Sequence, residues 1–211
     1  MGKNRGKIKV NYFTSDLHIG HTNVIKYCSR PFTSVEEMDS ILVKNWNDLI
    51  KPEDSVYCLG DFSMSFIPVE RSLRRLMGNK FLIPGNHDFC HSYHKKSRNP
   101  ENRARWIKEY ERVGWTVLSE QTTLELEGIG TVNVCHHPYG DENSGDSAGY
   151  EDKYAKWRPL DDGNVLLCGH IHEKWLTKRS YKGSLMVNCG VDVHNMRPIS
   201  ELELVALIKV N

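Results

Sequence analysis

The chain has 211 residues, enough for one domain with a substantial core, and 1–211 is read as that single domain. Lys and Arg number 28 against 27 Asp and Glu, so no global field draws the protein to nucleic acid or to an anionic membrane. No apolar run approaches the roughly 18 residues of a membrane span, and the polar, basic residues 1–9 lack the apolar centre of a signal peptide.

In chain order, residues 8–14 alternate like a strand and residues 23–28 form a short helix. Ser34 and Glu37 have capping-box spacing, and Val35, Met38, Leu42, Trp46 and Leu49 follow at helical intervals. Residues 55–59 are a strand. A helix opens at Pro68, carries Val69, Leu73, Leu76 and Met77, and stops at Gly78. Residues 80–83 are again strand-like, and 100–113 read as a helix with Trp106, Ile107 and Tyr110 inward. Strands then dominate, at 115–118, 121–126, 131–135, 164–168, 175–180, 184–189 and 202–209, with a hairpin turn at 127–130. The polar, glycine-rich residues 140–163 have the character of a lid or binding loop. The coarse expectation is an α/β domain with two sheets and flanking helices, its polar residues gathered at strand ends.

Five segments share one format, an apolar strand followed by an abrupt polar group. They are Ser15-Asp16-Leu17-His18, Gly60-Asp61, Gly85-Asn86-His87-Asp88, Cys135-His136-His137-Pro138 and Gly169-His170-Ile171-His172. Residues i and i+2 of a strand point the same way, so Asp16 with His18, and His170 with His172, can each approach one ion. Singly, each has an ordinary explanation: a helix cap for Asp16, a turn residue for Asp61 or Asn86, a satisfied histidine for His170 or His172. Together, seven N/O donors at successive strand ends are costly neighbours without a cation. Mixed His, Asp and Asn donors suit Mn²⁺, Fe²⁺, Co²⁺ or Zn²⁺ better than Ca²⁺, with Ni²⁺ also admissible; Mn²⁺ is placed first. The six cysteines form no C-x-x-C pair, which points to free thiols in a reducing, cytoplasmic setting.

The ordered set resembles the calcineurin-like metallophosphoesterase superfamily over most of the chain, from Asp16 to His172. That resemblance implies a four-layer α-β-β-α sandwich with a dinuclear metal site at the C-terminal ends of the strands. It implies Asp16, His18 and His172 on one divalent ion, Asn86, His136 and His170 on the other, and Asp61 bridging both. It further implies a bridging hydroxide that attacks phosphorus in line, while His87 serves the leaving oxygen and Asp88 orients His87. His137 falls at a variable position. The Phe62-Ser63-Met64 run after Asp61 departs from the Ser/Thr protein-phosphatase branch, and the likeness is nearer to small bacterial or phage-type phosphoesterases.

The substrate expected is a small-molecule or nucleotide phosphoester, with a nuclease as the alternative and a non-catalytic protein-binding scaffold third. Lys95, Lys96, Arg98, Arg103 and Arg105 can favour an anionic substrate if they fold over the metals, or form ordinary solvated surface. Tyr139, Tyr150, Tyr154 and Trp157 can stack on a base or anchor the loop. His194 and Arg197 are further rim candidates.

Overall fold

The computed structural model describes residues 9–140 and 152–211. Two five-stranded sheets face one another. The first has the order β10-β1-β2-β3-β4, from Ile199–Ser200, Asn11–Thr14, Ser55–Cys58, Asn79–Leu82 and Trp115–Val117. Strands β1 to β4 run parallel and β10 is antiparallel to β1. Parallel neighbours need crossovers, and helices supply them: α1 (Thr22–Tyr27) and α2 (Val35–Leu49), then α3 (Phe66–Leu73), then α4 (Pro100–Arg112). The second sheet has the order β5-β6-β7-β9-β8, from Gln121–Leu126, Gly130–Cys135, Leu166–Cys168, Leu185–Asn188 and Thr177–Arg179. In it β6, β7 and β9 are parallel, with antiparallel β5 and β8 on the edges.

Strand periodicity sorts the core into layers. Val56 and Cys58 join the helix-facing cluster with Met38, Leu42, Trp46, Val69 and Tyr110. Their neighbours Phe13, Leu59 and Ile83 turn the other way and meet Val132, Val134, Leu167 and Val187 between the sheets. The outer face of the second sheet, built on Cys135, Leu166, Cys168 and Met186, is covered by Tyr139 and Trp175. The mixed α/β fold with two sheets is as expected; among the described residues this last face carries no α-helix.

One expected strand is a helix. Residues 202–209 lie in α5 (Glu201–Lys209), started by a full capping box between Ser200 and Glu203. Leu204 and Ile208, four apart, are its buried pair, while Leu202 faces solvent; the apolar density of the segment had masked that spacing. At α2 the Ser34 hydroxyl does accept from the Glu37 amide at 3.2 Å, but Glu37 reaches past Ser34 to the Thr33 amide, completing only half a box. Helix α3 begins before Pro68, at Phe66.

Candidate metal centre

Every expected donor lies just beyond a strand. Asp16 follows β1, Asp61 follows β2, Asn86 follows β3, His136 follows β6 and His170 follows β7. These strands are parallel within their sheets, and a parallel bridge between Ser15 and Gly190 ties the two sheets at this rim. The donors therefore share one end of the sandwich, the place where open α/β sheets present ligand-binding groups.

The backbone there is bent in an uncommon way. Asp16, His18, Asp61, His170 and His172 have φ of 56, 53, 53, 73 and 50°, the left-handed region that side chains other than glycine seldom adopt. Main-chain bonds hold these bends: the Asp16 amide donates to the Gly60 carbonyl at 3.0 Å and the His18 amide to the Asp61 carbonyl at 3.1 Å. The His170 amide donates to Asp16 Oδ2 at 2.9 Å and the His87 amide to Asp61 Oδ1 at 2.8 Å. The glycines make room. A Cβ on Gly60 would strike the Gly85 backbone and sit 2.8 Å from His136 Nδ1, and one on Gly169 would sit 2.6 Å from Asp16 Oδ2.

The side chains converge as two overlapping groups. Asp16, His18 and His172 place donor atoms within 4.8 Å of one another, as do Asp16, Asp61 and His136. His136 Nε2 is 3.3 Å and His18 Nε2 3.8 Å from the same Asp61 Oδ2. His136 and His170 meet edge to face with ring centroids 5.2 Å apart, and His137 joins them in a third group. Asn86 is buried beside them. Asp16 Oδ1, both His18 ring nitrogens, Asn86 Oδ1 and His136 Nε2 are buried without a hydrogen-bond partner. Each such orphan costs about 1–3 kcal/mol, and divalent cations would satisfy Asp16 Oδ1, Asn86 Oδ1, His136 Nε2 and one His18 nitrogen, so this donor set fits the metals that the resemblance implies.

Charge follows the same logic. Burial raises the Asp16 carboxyl, with Asp61 adding to it. Burial would raise Asp61 also, but His136 and its neighbours hold it well below the usual carboxylate range. Burial would lower His136, yet Asp61 lifts it to about 9, and a cation at Nε2 would take that proton's place. Burial and His136 lower His170 to about 3, leaving it neutral.

Supporting residues escaped the sequence reading. His136 Nδ1 lies 2.6 Å from the Leu59 carbonyl, which turns Nε2 toward Asp61. His172 Nδ1 lies 3.0 Å from Asp192, and Asp192 is gripped by Arg30 at 2.8 and 2.9 Å. This is the carboxylate–imidazole pairing that fixes a ligating histidine. Arg30, itself buried, also donates to the carbonyls of Asp16 and Leu17. The two lie 162 residues apart, and no local spacing joins them. Asp88, expected to orient His87, is placed otherwise. Its buried carboxylate accepts from the amides of Asp61 at 2.8 Å, Gly85 at 2.9 Å and Phe62 at 3.3 Å, joining two ligand-bearing loops.

The other rim candidates divide. Tyr139 is buried, bonded to Asn133 and Asn164, and Trp157 donates to Ser92; both anchor the loop. Tyr154 lies at the site, 4.8 Å from the His137 ring and 4.7 Å from His170. Tyr150 falls outside the described residues. His194 bonds the Asn188 carbonyl and Arg197 pairs with Glu203, both structural roles. Arg103 pairs with Glu120 at 2.7 Å and Lys96 sits 3.8 Å over the Phe89 ring, whereas Lys95 and Arg98 line a cavity with Asn86 and His87.

Comparison with known proteins agrees with this geometry. The calcineurin-like phosphoesterase superfamily domain matches residues 12–209. The Gene 66 protein of Mycobacterium phage D29 is 30% identical over 204 residues, 90% of this chain and 92% of its own. The Gene 66 protein of phage L5 is 31% identical, covering 93% of each. An uncharacterized protein of Methanocaldococcus jannaschii is 46% identical over 80 residues, a stretch that spans 36% of this chain and 46% of the relative, less than half its length. A crystal structure of a protein of unknown function from Aquifex aeolicus superposes with a TM-score of 0.66 at 25% identity, over 95% of this chain and all of that one. The chain belongs to the calcineurin-like phosphoesterase superfamily.

Proposed function

We propose that this calcineurin-like phosphoesterase hydrolyses a small-molecule or nucleotide phosphoester with two divalent cations held at the rim. The observation that carries the reading is the pair of donor groups meeting at Asp16 and Asp61, with orphaned donor atoms in both. In this reading Asp16, His18 and His172 hold one ion, Asn86, His136 and His170 the other, and Asp61 is shared. Mn²⁺ is the ion assigned first, and Fe, Zn, Co or Ni suit the same donors. If bound there, such a pair would supply a hydroxide at neutral pH and would offset charge on phosphate oxygens.

The chain's own groups do the rest. His87 Nε2 lies 3.9 Å from Asp61 Oδ2, and its side chain is 38% exposed, open to substrate. In this reading it gives a proton to the departing oxygen. Asp88 is a positioning residue, because its carboxylate locks the Asp61 loop to the Gly85 loop. Arg30 and Asp192 hold the His172 ring in the orientation that presents Nε2. No helix of the described residues is long and apolar enough to cross a membrane, and six free thiols are consistent with a cytoplasmic protein.

Metal-loaded protein is assayed on bis(4-nitrophenyl) phosphate and 4-nitrophenyl phosphate. Asp61→Ala and His136→Ala are expected to lower kcat/KM by about a thousandfold or more. His87→Ala is expected to slow esters with poor leaving groups most. Wild-type rates from Asp61→Ala protein would overturn the mechanism.

A further inference from the structure

The site is flanked by two cavities of unlike charge, and His87 lines both. One, of about 430 Å³, is walled by Val24, Tyr27, Met64 and Ile171, with Glu173 beside Lys174. The other, of about 370 Å³, opens from Asn86 and His87 onto Tyr93, Lys95, Arg98, Lys153 and Tyr154, with no carboxylate in its lining.

The wall carrying Lys95 and Arg98 is stiff. From Gly85 it advances in consecutive turns, the amides of Asp88, His91, His94 and Ser97 each donating to the carbonyl three residues back. The Ser97 hydroxyl bonds the Phe89 carbonyl, and Ser92 is tied to Glu120 through both its amide and its hydroxyl. Within this segment the cations are put to different uses. Lys96 lies over the Phe89 and Trp106 rings and Arg103 is paired with Glu120. Lys95, Arg98 and Lys153 have no carboxylate partner among the described residues, and Lys153 is held 4.7 Å over the Tyr154 ring. His94, lowered to about 4 by burial and by Lys96, adds no charge at neutral pH. Three cations facing one cavity beside the reacting centre form an anion site whose affinity comes from charge-assisted hydrogen bonds.

Resting on the phosphoesterase reading, we infer that the cavity formed by Lys95, Arg98 and Lys153 beside His87 binds a second phosphate of the same substrate. The substrate class is then a phosphoester that carries a further phosphoryl group on the Lys95 side of the scissile bond. The less charged part of the molecule lies across His87, against Tyr27 and Met64.

The test compares dinucleotides with and without a terminal phosphate, 5′ and 3′ in turn, on metal-loaded wild type and on a Lys95→Ala/Arg98→Ala double variant. One of the two terminal phosphates is expected to raise wild-type kcat/KM about tenfold or more, since a pair of charge-assisted contacts is at stake. In the double variant that ratio falls toward one, Arg98→Lys retains part of it, and Lys96→Ala retains all of it. Using a ratio within each variant cancels any general loss of folded enzyme. Equal wild-type rates for all three dinucleotides, or an advantage that survives the double variant, overturn the inference. Failure of the parent reading looks different, because then neither dinucleotide nor bis(4-nitrophenyl) phosphate is cleaved. Anisotropy of a labelled, non-hydrolysable dinucleotide reads the cavity independently of turnover. Tighter binding of the phosphorylated probe, lost in the double variant, supports the anion site, and equal binding of the two probes rejects it.

Discussion

The two ends of the sandwich turn the chain equally sharply, with different residues. At the end where β3, β4, β6 and β9 begin, the left-handed positions belong to glycine: Gly78, Gly114, Gly128 and Gly183. At the end where β1, β2 and β7 finish, Gly60 is joined by Asp16, Asp61, His170 and their neighbours His18 and His172. A non-glycine residue in this conformation costs roughly 1–2 kcal/mol. The far end avoids that strain, and the near end accepts it because only those bends bring the donors together. Strained non-glycine bends that cluster at the proposed ligands are the pattern expected where chemistry rather than stability sets the residue.

The contrast breaks most severely at Gly60. Gly60→Ala drives a Cβ into the Gly85 backbone at a φ of 88°. The expected loss is about 3 kcal/mol or more together with turnover, read by urea denaturation and by the chromogenic diester. A stable, active Gly60→Ala protein would mean that the near rim is looser than described.

Acid sharpens the comparison next. His91, at the near rim, accepts from the Tyr93 amide through Nδ1, and burial lowers it to about 4 from 6.5. The surroundings bear on it with both signs: Glu120 and Asp61 raise it, His136 and Arg103 lower it. A folded-state value below the unfolded one means that the unfolded chain binds the proton more readily. The stabilisation is therefore complete above about pH 6.5 and is lost as pH falls toward 4. Its size is on the order of 3 kcal/mol. His91→Asn keeps the acceptor and removes the proton site, so between pH 7.5 and 4.5 the wild type should lose stability that the variant retains, and the two curves should separate toward the acid end. Parallel curves would show that His91 does not contribute.

The smallest effect belongs to the far end. At Gly128, φ is 77° and a Cβ would meet only the Lys209 ammonium, at 3.2 Å. Gly128→Ala should cost about 1 kcal/mol through strain alone and leave kcat/KM on the chromogenic diester unaltered. A large activity loss there would dissolve the distinction between the two ends.

What the sequence disclosed follows the same division. The strand-then-polar blocks exposed Asp16, His18, Asp61, Asn86, His87, His136, His170 and His172, because each motif is local and the structure gathers all of them at one rim. Helices α2 and α4 were legible from apolar spacing, and α2 also from the Ser34 cap, whose side chain accepts from Glu37; the Asn99 cap of α4 was seen only in the structure. Helix α5 was not, since its apolar residues fit both periods and the Ser200–Glu203 box was overlooked. Arg30 and Asp192 are 162 residues apart, and only tertiary structure joins them. Asp88 was misread for a related reason. Adjacency to His87 suggested a side-chain partner, whereas the turn sends its carboxylate to main-chain amides across the fold.

Arg30 has a wider consequence. Its guanidinium clasps the Asp16 and Leu17 carbonyls with one edge and Asp192 with another, so the β1 exit and the segment after β9 are bolted together by protein alone. This clasp is made by the chain's own groups and does not need an ion, unlike the folding of zinc fingers, which waits for one. On the proposed reading, a chelator should abolish turnover and lower the unfolding midpoint, because buried donor atoms at the rim lose their partner, while this clasp keeps the chain folded, and restored metal should restore both.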